Sequence, residues 1–104
     1  MMDTSLPTDS ATGQAPPNGV PSTYILVERW KGEGTELYVH PDPAIRSGVL
    51  IAADGDDYKP ALRFQFYSDG EIYWSDWLGP AECWDEAARA RTLADITDTV
   101  APGR

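Results

Sequence analysis

The chain has 104 residues, with 17 acidic side chains against 8 basic ones, a net charge of -9 and a pI near 4.3. That length holds one domain, and no apolar run approaches the roughly 20 residues that span a bilayer. The acidic balance argues against direct binding to DNA, RNA or anionic membrane, which calls for clustered Lys and Arg.

Residues 1–22 (MMDTSLPTDSATGQAPPNGVPS) are rich in Pro, Ser, Thr, Gly and Asp. They bury too little to offset the entropy of ordering, so a disordered leader is expected there. No Lys or Arg precedes Arg29 and no apolar stretch precedes Tyr24, so a secretory signal is not expected and a cytoplasmic protein is. A single folded domain is expected over 23–97. Residues 23–31 (TYILVERWK) read as a first strand and 35–40 (TELYVH) as a second, with Gly32-Glu33-Gly34 as the turn. Pro41 and Pro43 stop the second strand. Residues 49–53 (VLIAA) form a short central strand, and 54–57 (DGDD) an acidic turn.

The strongest local signal lies over 61–75, where Asp69-Gly70 separates two alternating aromatic runs. This pattern favours a two-residue type I′ hairpin. In that register Phe66 opposes Tyr73 and Gln65 opposes Trp74. Leu62, Phe64, Phe66 and Tyr73 then face the core. Arg63, Gln65, Tyr67, Ile72, Trp74 and Asp76 face away, with Arg63 and Asp76 as a cross-strand charge pair. A helix is expected from Gly79-Pro80, because Pro suits a first helical position. Its small-residue stripe of Cys83, Ala87, Ala90 and Ala94, edged by Trp84 and Leu93, is the expected buried face. Ile96 falls off that stripe, so the helix is expected to fray near Asp95, with 98–104 as a flexible tail. The resulting fold class is α+β: an antiparallel sheet of four to five strands with one C-terminal helix on one face. A small β-barrel capped by the helix is the alternative.

The inventory for chemistry is sparse. His40 is the only histidine and Cys83 the only thiol. His40 is expected at a strand end near the surface, and Cys83 as a small buried residue in the helix stripe. No disulfide can form within the chain. Asp54, Asp56 and Asp57 resemble half of a calcium loop, but Tyr58 and Lys59 occupy the positions where such a loop needs a ligand and a glycine. A solvated turn is the better reading. No catalytic residue, metal site or cofactor is expected, and the chain is read as a non-enzyme.

The distinctive feature is aromatic content: four Trp and five Tyr. So small a sheet cannot enclose them all. Trp and Tyr are enriched at interface hot spots, and an acidic surface complements a basic partner and speeds its encounter. The sequence therefore points to a protein-binding module, an inhibitor or adaptor that engages a basic, nucleic-acid-processing protein. Anti-CRISPR proteins, DNA mimics and immunity proteins encoded by phage or mobile elements are of this kind, though no motif ties the chain to any of them. The expected contact residues are Asp54, Asp56, Asp57, Tyr67, Asp69, Glu71, Trp74 and Asp76. A small-ligand binder with an aromatic groove is the alternative reading. A homodimer through the outer sheet face is also compatible with the pattern.

Overall fold

The computed structural model describes residues 19–102. Most of the expected leader, 1–18, and the last two residues of the expected tail lie outside the described residues. Five strands pair in chain order as an antiparallel meander: β1 (Ile25–Trp30), β2 (Thr35–Val39), β3 (Ser47–Asp54), β4 (Asp57–Phe66) and β5 (Ile72–Trp77). A 3-10 turn (Gly79–Cys83) and the helix α1 (Glu86–Val100) follow. The sheet is open, with β1 and β5 as its two edges. It is the expected α+β fold and not the barrel alternative.

The strands follow from local chemistry. Gly34 ends the β1–β2 connection in the left-handed region (φ 68°), where a side chain is disfavoured. The apolar run of β3 is buried from Gly48 through Ala52, as a central strand covered on both faces should be. Leu37, Leu50 and Leu62 stand side by side across β2, β3 and β4, and Trp77 continues the row onto β5. All three leucines are fully buried. Each contributes about 1.5–3 kcal/mol by leaving water. Phe64, Phe66 and Ile96 complete this main core, with Trp30, Trp84, Leu93 and Val100 packed around it.

The helix differs from expectation in start, end and buried face. Pro80 opens only the 3-10 turn, because Asp85 breaks the path. Its backbone is extended (φ -77°, ψ 172°), and its carboxylate accepts the Ala88 amide at 2.8 Å, capping α1 from outside. The helix then runs to Val100, past Asp95. Ile96, expected to lie off the stripe, is its one fully buried residue, while Ala87, Ala90 and Ala94 are exposed. Leu93, Ile96 and Val100 are the large apolar side chains of the segment, and the groove over the leucine row takes those rather than alanines. Cys83 is exposed as well, its Sγ donating to the Pro80 carbonyl. Arg89 ties the two segments together. Its Nη2 donates to the Ala81 and Glu82 carbonyls at 3.1 and 3.2 Å, and its guanidinium sits 5.1 Å from the Trp77 ring centre.

The opposite face of the sheet has its own smaller core. Val20, Tyr38, Val49 and Ile51 pack there, with Tyr24 against them. Val20 falls within the expected leader, yet it is buried. The Tyr24 amide closes a turn onto the Pro21 carbonyl at 3.0 Å, and the Tyr24 hydroxyl meets Ser47 Oγ at 2.6 Å. That turn folds residues 19–24 back over β2 and β3. Gly19 also reaches Pro60 of β4, and among the described residues the β4–β5 hairpin is left open on this face.

Candidate functional site

The open part of this face is built by the β4–β5 hairpin, whose turn sets its geometry. The Gly70 amide bonds to the Tyr67 carbonyl at 2.9 Å and the Tyr67 amide to the Glu71 carbonyl at 2.8 Å. The loop is therefore three residues, 68–70, with Gly70 left-handed at φ 93°. This is a tight turn followed by a left-handed residue, not the expected two-residue type I′ loop. Asp69 Oδ1 holds the Glu71 amide at 2.9 Å and stiffens the turn.

The longer loop shifts the register by one residue. Phe66 pairs with Ile72, not with Tyr73. A bulge then restores the phase, so that Gln65 pairs with Trp74 and Arg63 with Asp76 as expected. The bulged residue is Tyr73. Ile72 turns to the main core, and Tyr73 to the open face. The two residues have exchanged the faces expected for them. Nothing local in the sequence marks the bulge, since Asp69-Gly70 suits a two-residue loop equally well.

Tyr73 completes an aromatic surface. Its ring lies 4.6 Å from that of Tyr67, tilted by 31°. Its hydroxyl donates to Gln65 Oε1 at 3.0 Å. Trp74 stands on the cross-strand neighbour of that same Gln65. Tyr67, Tyr73 and Trp74 are 54%, 52% and 46% exposed. Ring stacking and the Gln65 bond restrict the rotamers of the two tyrosines, so binding through them would forfeit little side-chain entropy. Trp77 and Trp84 do not join this surface. They pack on the core with ring centres 6.0 Å apart.

The expected acidic contacts do not come together. Asp69, Glu71 and Asp76 are exposed on the same hairpin as the rings, with Glu71 lining a hollow beside Leu93, Thr97 and Ala101. Asp54, Asp56 and Asp57 sit at the β3–β4 turn, at the other end of β4. Ten residues of strand separate the two ends, roughly 30 Å at the usual rise. Asp54 is already engaged there, with Lys59 Nζ 3.0 Å from its Oδ2. Arg63 and Asp76 face each other in register, but no ion pair joins them.

Other chemistry-bearing residues are dispersed. His40 follows β2, its Nδ1 accepting the Asp42 amide at 3.0 Å and its ring edge-on to Tyr24. Cys83 lies beyond β5, in the turn whose Ala81 packs with Ala52 and Ala61 at the opposite end of the sheet. Among the described residues, no three His, Cys, Asp or Glu side chains group as metal ligands. No helix among them is long and apolar enough to cross a membrane. No protein-family model matches the chain, and no curated protein or solved structure matches it.

Proposed function

We propose that the chain is a small non-enzymatic binding module whose open β4–β5 face docks a basic protein partner. The observation that carries this reading is the exposed set of Tyr67, Tyr73 and Trp74, of which the two tyrosines stack on each other, with the exposed carboxylates of Asp69, Glu71 and Asp76 on the same hairpin. Exposed aromatics held in place are the groups that form hot spots. These carboxylates and the net charge of -9 favour a partner of opposite sign and hasten its encounter. The Asp54, Asp56 and Asp57 turn forms a second acidic pole, reached only by a partner that spans the length of β4. A cytoplasmic inhibitor of a nucleic-acid-processing enzyme is the form of this reading that size and charge favour. The aromatic-groove alternative finds less support, because about half of each ring's residue stands in solvent.

Affinity capture from the source cell tests the proposal. The wild-type chain should retain a basic protein, and Trp74→Thr should weaken its binding by about 2 kcal/mol or more, roughly thirtyfold. Thr keeps the strand preference of the site, so the variant's unfolding midpoint should stay close to that of wild type. Equal capture by wild type and by a Tyr73→Thr/Trp74→Thr double variant would count against this face. A homodimer in light scattering that Trp74→Thr dissociates would assign the face to a second copy instead.

A further inference from the structure

A pocket on the helix side of the sheet, separate from the aromatic face, points to a second binding site. Its volume is about 330 Å³, at the small end of ligand-sized pockets, which begin at about 300 Å³. Val27, Val39, Phe66 and Val100 supply apolar wall, and Ile45 closes it from the loop after β2. Val27 and Ile45 are also 41% and 45% exposed, so a ligand seated here would cover apolar surface that the fold leaves in water. The depth comes from the bulge at Val27 in β1, which interrupts the pairing with β2 between Leu26 and Glu28.

The polar groups on this pocket are unevenly committed: Thr99 Oγ1 donates to the Asp95 carbonyl, and Ser68 adds a further hydroxyl. Arg46 lines it and has no acidic partner among the described residues. His40 lines it too. Its Nδ1 is occupied by the Asp42 amide, which leaves the ring its Nε2–H as a donor without an acceptor among the described residues. Asp42 is the one carboxylate among the described residues of the wall, and its Oδ1 already accepts the Ala44 amide at 2.9 Å. An apolar enclosure with one uncommitted guanidinium and one uncommitted imidazole N–H suits a small apolar molecule that ends in a carboxylate. Arg pairs with carboxylates through two parallel hydrogen bonds. The overall negative charge of the chain does not forbid this, since fields from distant exposed carboxylates are screened beyond about 8 Å at physiological salt.

We propose that this pocket binds an aliphatic monocarboxylate, with its chain against Val39, Phe66 and Val100 and its carboxylate on Arg46 and His40. Titration by amide-resolved NMR with decanoate, decanol and decylamine, each below its aggregation concentration, tests it. Decanoate should shift Val27, Val39, Phe66 and Val100 saturably and bind at least about tenfold more tightly than decanol, as a charge-assisted hydrogen bond would give. Arg46→Gln should reduce decanoate to the affinity of decanol while leaving the remaining spectrum in place, because Arg46 is exposed and unpaired. Equal affinity of acid and alcohol would overturn the proposal. So would tighter binding of the amine, the absence of saturable shifts, or shifts centred on Trp74 rather than the pocket.

Discussion

Tyr38 shows how one side chain on the second face is tuned by its neighbours. Its ring is buried among Val20, Val49 and Ile51, and its hydroxyl donates to Glu36 Oε1 at 3.3 Å. Burial first, and then the negative charge and hydrogen bond of Glu36, push its ionisation above the usual 10.0. A raised value in the folded state means that the neutral phenol stabilises the fold. That contribution is complete below about pH 10 and is lost as pH climbs through the higher folded value. Wild-type stability should therefore fall at strongly alkaline pH, and Tyr38→Phe should flatten the fall in urea titrations across that range. A variant with the same alkaline loss as wild type would exclude Tyr38 as its source. None of this was legible in the sequence. The alternation of β2 placed Leu37 and Val39 on one face, and so Tyr38 on the other, but nothing local announced that Val20 would fold back to cover it. Arg89 makes the same point. It reaches back to the Ala81 and Glu82 carbonyls across the break before α1, a contact that no local pattern announces.

At the scale of elements, the β4–β5 hairpin decides which rings reach solvent. Asp69-Gly70 satisfies two turn types equally well, one with a two-residue loop and one with a three-residue loop, so the hairpin was readable and its register was not. The choice is made by packing against the end of α1. A Cβ on Gly70 would lie 2.9 Å from Ala101 Cα and 3.0 Å from its amide nitrogen, and φ is 93°. Gly70→Ala is therefore expected to lower stability by about 1–3 kcal/mol, from strain and from the contact with Ala101. Chemical denaturation reads this directly, and an unchanged midpoint would contradict the register described. The helix was legible in its existence, but not in its start, its end or its face. Small residues at regular spacing imitate a buried stripe, and only the position of the leucine row selects Leu93, Ile96 and Val100 instead. Both edge strands carry a bulge, at Val27 and Tyr73. Bulged edges resist pairing with further strands, which steers association toward the face of the sheet and away from its rims.

The whole molecule is divided unequally. Helix α1 covers one face of the sheet, residues 19–24 cover part of the other, and the remainder carries three exposed rings, with carboxylates on the same hairpin. The order of strands and the single covering helix followed from short links and alternating patterns. The surplus of rings was also evident from composition, and Tyr67 and Trp74 are exposed where the alternation put them. Two features required the fold. Tyr73 joins the surface through a bulge, and the acidic residues separate into two poles because β4 is long. The proposed docking face combines a steering field with an apolar anchor, and the two respond differently to conditions. The decisive measurement is the dissociation constant of the captured partner for wild type and Trp74→Thr, each from about 0.05 to 0.5 M salt, a range that spans strong to weak screening. At least about a tenfold weakening with salt is expected for both proteins, with a further loss of roughly thirtyfold for the variant at every salt concentration. A constant that moves neither with salt nor with Trp74→Thr would contradict the proposed docking.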